Sequence, residues 1–225
     1  KAKSEFLSIA SHQLRTPLSA IKWTFNMVLA GQLGVINEEQ KEVLQKGYQS
    51  TERMIKIVND LLNIDQIETE RKDYNFTPIQ LEELAESILF EFSNQAESKK
   101  IVLSLKKPAK PLPLVEADAL KLRMVLENLI DNAIKYNRLH GQVDVILKDE
   151  KINTSHPLVE IVVSDTGIGI PVDDQKRMFN KFFRAGNAIL NEPDGTGLGL
   201  YLSKDIIEKH GGTIHFETGP KGTSF

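Results

Sequence analysis

The 225-residue sequence contains no cysteine. Thiol nucleophiles, disulfides and cysteine-ligated metals are therefore excluded from its chemistry. It also lacks any apolar run approaching the roughly 20 residues needed to cross a bilayer, and no signal-peptide pattern opens it. Nor is there an excess of positive charge: 28 Lys and Arg face 31 Asp and Glu, for a formal net charge of −3. Nucleic acid or an anionic membrane surface requires a basic footprint, so neither is expected as a partner. Disorder and fibrous classes are excluded by a hydrophobic content of 40% and a charged content of 26%, both ordinary for a folded chain. A soluble, cytoplasmic setting is the expectation. The opening KAKSEFLSIA has no methionine and is already in helical register, so a piece excised from a longer parent, membrane-bound in one reading, is expected.

What is present falls into two patterns. Residues 1–68 hold one proline and three glycines, with apolar residues at intervals of three and four. The spacing predicts a helical hairpin. Phe6, Ile9, Leu14, Leu18, Ile21, Phe25 and Val28 stripe its first helix, and Asn37 caps a second that runs from Glu38 to about Glu68. Leu44, Gly47, Thr51, Met54, Val58 and Leu61 form the second stripe. Two helices cannot enclose both stripes, which makes a homodimeric four-helix bundle the economical solution. Residues 69–78 read as a polar linker ending in Pro78. From 79 to 225 helix and strand patterns are mixed without strict alternation, which predicts an α+β domain. Strands are expected at IVLSL, QVDVILKDEK, LVEIVVSD and TIHFET, with helices at LEELAESILFEFSNQAESKK, DALKLRMVLENLIDNAIKYN and LGLYLSKDIIEKHGG.

Three stretches of the second region carry candidate chemistry. In ENLIDNAIKYN one helix face is apolar and the other bears Asn128, Asp131, Asn132 and Lys135. This is either a solvated face or a pair of amide oxygens for a hard cation with a lysine for phosphate. Asparagine is a poor interior helix residue, which a merely wet face has no reason to choose. In SDTGIGIP, Asp165 ends a strand before Gly167 and Gly169. A plain Asx turn accounts for that, and so does a carboxylate accepting an exocyclic amine, which favours adenine over guanine. In GTGLGL, Gly195, Thr196, Gly197, Leu198 and Gly199 precede or open a helix whose N–H groups can hold an anion, although the GK[ST] ending of a P-loop is missing. The long segment between the two glycine clusters suits a mobile lid or a plain surface excursion.

The order of these stretches resembles the sensor histidine kinases of two-component signalling. ENLIDNAIKYN is similar to their N box, DTGIGI to the first glycine box, FNKFFR to the F box, GTGLGL to the second glycine box, and SHQLRTPL to the H box. The resemblance implies a dimerisation and phosphotransfer hairpin at 1–68 and a Bergerat-type ATP-binding sandwich at 79–225. In that reading Asn132 and Asn128 hold Mg2+ on the triphosphate, while Lys135 and Tyr136 meet phosphate oxygens. Asp165 takes the adenine amine, and Gly167 and Gly169 back the base. Gly195, Thr196, Gly197, Leu198 and Gly199 close on phosphate. Phe182, Arg184 and Thr223 complete the nucleotide contacts. His12 is the phosphoacceptor, and Thr16 shares its helix face one turn on. Pro17 loosens the helix beneath it. A response-regulator receiver aspartate is the implied next acceptor, with phosphatase activity toward the same partner.

Two departures from the family pattern stand out. Gln13 occupies the place of the usual acid, so general-base help to His12 is expected to be weak. That feature also motivates the alternatives of a predominant response-regulator phosphatase and of a nucleotide-binding scaffold. The chain closes at GTSF, where the family usually continues, which bears on Thr223.

Overall fold

The computed structural model describes residues 2–69, 74–150, 158–192 and 195–225, without the side chains of 2–12, 60–69 and 150. Helix α1 (Ala2–Leu29) runs unbroken across Pro17, although that ring withholds the N–H that would bond the carbonyl of Gln13. Gly31 (φ 74°) and Gly34 (φ 115°) then turn the chain through left-handed backbone. Asn37 starts α2 (Glu38–Thr69). Its Oδ1 accepts the N–H of Gln40 at 2.7 Å, and its own N–H donates to Gln40 Oε1 at 3.0 Å. This reciprocal pair satisfies two donors that the helix end would otherwise orphan.

The hairpin packs through its small residues. A Cβ on Gly47 would lie 2.7 Å from Phe25 Cζ, so the glycine is what lets the ring of α1 rest on α2. Leu18, Thr51 and Val58 are buried, and Thr51 discharges its hydroxyl onto the carbonyl of Gly47 at 2.9 Å. Leu14, Ile21 and Met54, all from the apolar stripes, remain exposed. Two helices leave that much of the seam uncovered.

The chain divides into two units, Lys1–Lys72 and Asp73–Phe225. Residues 70–73 of the expected linker lie outside the described residues. Its later part belongs to the second unit: Thr77–Ile79 is strand β1, paired antiparallel with β3 (Val115–Ala117). Tyr74 and Phe76 pack edge-on against the ring of His210, with centroids 5.4 and 5.1 Å away. The composition of this stretch is that of a linker; a long-range pairing that no local pattern announces makes it structure.

The second unit is α+β, as expected. After β1 come α3 (Leu81–Ser98), β2 (Val102–Lys106), β3, α4 (Ala119–Lys135), β4 (Gln142–Glu150) and β5 (Leu158–Asp165). Short α5 (Val172–Gln175) and α6 (Gly186–Asn191), then α7 (Gly199–Lys209), β6 (Glu217–Gly219) and β7 (Gly222–Ser224), complete the chain. The main sheet has the order β2-β4-β5-β7-β6; β2 and β4 run parallel and the other pairs antiparallel. Val143, Val145 and Leu147 alternate inward on β4, and Val145 sits opposite buried Val163 of β5. Helix α4 packs between α3 and α7 and against β4 and β5. It buries Leu122, Val125, Leu126, Leu129, Ile130, Ala133 and Ile134, the apolar face read from the sequence.

The strand expected at TIHFET is shorter than its pattern. Only Glu217–Gly219 pairs, because β7 offers partners no further than Ser224. Phe216 instead joins a ring cluster with Phe179 and Phe225, at 5.8 and 5.5 Å.

Candidate active site

Helix α4 is placed by its first residue. Asp118 caps the helix, its Oδ1 accepting the N–H of Lys121 at 3.0 Å and its Oδ2 that of Asn75 at 3.0 Å. Its own N–H donates to His210 Nε2 at 3.1 Å. Burial works against the Asp118 charge, yet the backbone N–H groups of Lys121, Asn75 and Leu120 outweigh it and hold the carboxyl below the usual aspartate value. Asp118 thus ties the start of the second unit to α4 through its carboxylate, and to the C-cap of α7 through its main-chain N–H.

The C-terminal half of α4 forms one wall of a narrow cavity of about 70 Å³. Asn132, Ala133 and Tyr136 line it from α4; Asp165, Ile168, Gly169 and Ile170 from the end of β5 and its turn; Thr223 and Phe225 from the closing strand. Met178, Ala185, Asn187, Ala188 and Leu200 supply the remaining side. Five residues singled out in the sequence, Asn132, Tyr136, Asp165, Gly169 and Thr223, therefore share one space.

Asp165 is fixed from two directions. Its Oδ1 accepts the N–H of Gly167 at 2.7 Å and that of Thr223 at 3.2 Å. The Asx turn read from the sequence is present, and the same residue lines the cavity. Burial raises the Asp165 carboxyl above the ordinary aspartate range, against the lowering effect of those two backbone donors. Buried Thr223 also shares a hydroxyl hydrogen bond with Thr218 at 3.0 Å. The glycines of the turn are required by space: a Cβ on Gly167 would collide with the carbonyl of Tyr136, and one on Gly169, at φ 68°, with that of Gly219. The turn is thereby pressed flat against α4 and β6.

The other expected residues lie around this cavity rather than in its lining. Asn128 donates from Nδ2 to Ser203 Oγ at 3.0 Å, which turns its Oδ1 toward Gly199; a Cβ on Gly199 would collide with that oxygen. The Lys135 ammonium is ion-paired with Asp131 one turn back. Gly195 lies against the Arg184 guanidinium, where a Cβ would be 2.8 Å from Cζ. Gly197, at φ 68°, lies against the backbone of Phe182. Leu198 is buried, and Thr196 Oγ1 accepts the N–H of Leu198 at 3.4 Å. Arg184 holds the carbonyls of Ala188 and Glu192. Phe182 is 63% exposed, and it meets the second glycine cluster through its main chain. Gln13 and Thr16 lie on α1, as does the backbone of His12, whose side chain is outside the description. Residues 193–194 of the expected lid are likewise outside the described residues.

The sequence reading missed Met178, Asn187, Ala188, Leu200 and Phe225. Leu200 follows the second glycine cluster at once and was within reach of that motif. Asn187 carried a weaker signal, an asparagine between Gly186 and the apolar pair Ile189 and Leu190.

Comparison with known proteins identifies the family. Two family models match: the His Kinase A (phospho-acceptor) domain over residues 2–70, and the Histidine kinase-, DNA gyrase B-, and HSP90-like ATPase over residues 117–225. The Circadian input-output histidine kinase CikA of Synechococcus elongatus is 34% identical across all of this chain and 29% of its own length. The Signal transduction histidine-protein kinase BarA of Escherichia coli K12 is 30% identical across all of this chain and 24% of its own. The chain thus spans about a quarter of the length of these relatives. Full-length ShkA, solved in complex with AMPPNP, is 25% identical with a TM-score of 0.76 over 98% of this chain and 44% of that one. The nucleotide-free catalytic domain of histidine kinase ThkA is 29% identical, with a TM-score of 0.57 over 67% of this chain and 94% of that one. The chain belongs to the sensor histidine kinases of two-component signalling, with a phospho-acceptor module followed by an ATP-binding module.

Proposed function

We propose that the chain is the autokinase core of such a protein, with residues 1–68 as the dimerisation and phosphotransfer domain and residues 79–225 as the catalytic ATP-binding domain. A ring nitrogen of His12 attacks the γ-phosphorus of ATP; the N–P bond forms as the bond to the β–γ bridging oxygen breaks, giving phosphohistidine and ADP. The group then passes to an aspartate of a response-regulator receiver domain. The observation that carries this reading is the meeting of Asn132, Tyr136, Asp165, Gly169 and Thr223 around one cavity.

The residues divide the work as the geometry allows. The carboxylate of Asp165, with Oδ1 occupied by Gly167 and Thr223, offers Oδ2 to the adenine amine. The turn through Gly167 and Gly169 leaves a flat wall for the base. The open N-terminus of α7, reached through Gly195, Thr196, Gly197 and Leu198 to Gly199, suits phosphate oxygens. Lys135 and Tyr136 approach the same phosphates from the end of α4. Arg184 and Phe182 act by shaping the segment that carries α6.

Asn132 and Asn128, one turn apart, present hard amide oxygens that fit Mg2+. Gly199 supports that fit, since only a residue without Cβ leaves the Asn128 oxygen its place. Mg2+ there would neutralise charge on the transferring phosphoryl group. On the hairpin, exposed Leu14, Ile21 and Met54 support closure by a second copy into a four-helix bundle. A cytoplasmic setting, where ATP is supplied, fits this reaction.

Gln13 favours a second emphasis. Its amide can orient the His12 ring but cannot take up its proton, which tips the balance toward dephosphorylation of the regulator, with Thr16 positioning water. Titration with Mg-ATP followed by transfer to a receiver domain separates the readings. Binding with accumulation of phosphohistidine supports the kinase. Binding with faster loss of label from a prephosphorylated receiver supports the phosphatase. Binding with neither supports a scaffold.

A further inference from the structure

The mechanism above leaves one buried polar atom in the cavity unused. Asn187 donates from Nδ2 to the carbonyl of Gly169 at 2.8 Å, and its Oδ1, buried in the same wall, has no hydrogen-bond partner among the described residues. The amide cannot turn over to relieve this, because the opposite orientation would set its oxygen against the Gly169 carbonyl. Oδ1 is therefore locked as an acceptor. Buried acceptors in native folds are almost always matched by a donor, and one left unmatched beside a cavity points to a group that arrives there.

Resting on the nucleotide reading of this cavity, we propose that Asn187 is a specificity-determining residue whose Oδ1 accepts a hydrogen bond from an N–H or O–H of the nucleoside. Asp165, another acceptor lining the same space, takes one hydrogen of the adenine amine; Asn187 takes the amine's second hydrogen or a ribose hydroxyl. Both donors belong to adenosine. The purine carrying a carbonyl at the amine position offers neither acceptor a hydrogen there. Through Gly169 the Asn187 side chain is also tied to the turn that starts at Asp165, so the two acceptors are held on one frame.

The test is a cycle of protein and ligand changes read as dissociation constants. Wild type and Asn187→Ala are titrated with ATP, N6-methyl-ATP, 2′-deoxy-ATP and 3′-deoxy-ATP, with thermal unfolding of both proteins to confirm equal folding. The expected result is that wild type binds one analogue about tenfold more weakly than ATP, and that Asn187→Ala no longer makes this distinction. The analogue concerned names the donor: N6-methyl-ATP the amine, a deoxy form the ribose. Equal weakening toward all four ligands would assign Asn187 to positioning of Gly169 alone and overturn the proposal, as would unchanged affinities. Wild type that binds no ATP would overturn the nucleotide reading itself.

Discussion

Asp165 accepts the backbone N–H of Thr223 at 3.2 Å, joining the end of β5 to the closing strand β7. These residues are 58 positions apart in sequence, and their hydrogen bond makes the last strand a wall of the cavity. It also leaves a carboxylate where burial raises its proton affinity. The folded state therefore binds that proton more tightly than the unfolded chain does. Stability from this group is full below the unfolded value near 3.8 and is lost as pH rises through the raised folded value. At neutral pH an ionised Asp165 is therefore a cost to folding.

Asp165→Asn is accordingly expected to leave the melting temperature of the ligand-free protein equal or higher at pH 7. The same change should weaken ATP by about 100-fold, through loss of a charge-assisted hydrogen bond. Scanning calorimetry and titration on the same preparation check both halves. A large fall in melting temperature would contradict the account of the charge.

Gly169→Ala tests the turn. A Cβ there meets the Gly219 carbonyl, and the φ of 68° is unfavourable for any L side chain. The left-handed conformation alone costs about 1–2 kcal/mol, and the turn must also move away from β6. Denaturant unfolding should show a loss of at least that size, with ATP affinity falling in parallel.

Asp118 lies outside the cavity but positions its principal helix. Its folded carboxyl is held below the ordinary value near 3.8, so its stability contribution is present above that value and disappears as pH falls through the lower folded one. Asp118→Ala should cost about 1–3 kcal/mol at pH 7, from a lost helix cap and an unpaired Asn75 N–H. The difference from wild type should shrink as the pH is lowered into that acid range. A difference that stays constant with pH would show that the charge is not what matters.

Much of this was legible in advance because the signals are local. The apolar face of α4, the Asn37 cap and the three helices of the second unit follow from spacings within a few turns. Asp165 and Gly169 were legible for the same reason, as a strand end and a turn. Strands β1, β3 and β7 have three residues each, too few for a period, and exist through partners far along the chain. Residues 77–78 consequently looked like linker. Asn187 was overlooked because its importance depends on the carbonyl of Gly169, 18 residues away, and on a cavity that only the fold creates.

Gln13→Glu would restore a proton acceptor beside His12. General-base help is typically worth about 100- to 10,000-fold, so the variant should autophosphorylate faster at saturating ATP while its ATP affinity is unchanged. An equal or slower initial rate would mean that ring orientation, which glutamine already supplies, is the whole contribution of this position.

The central claim is that the cavity's nucleotide delivers its γ-phosphoryl group to one imidazole. Incubation with γ-labelled ATP and Mg2+, followed by peptide mass spectrometry under neutral conditions, tests it most directly. The predicted result is a single acid-labile, base-stable phosphate on the peptide carrying His12, absent from His12→Ala and reduced in Asp165→Asn at sub-saturating ATP. Phosphate on another side chain, or label that survives loss of His12, would contradict it.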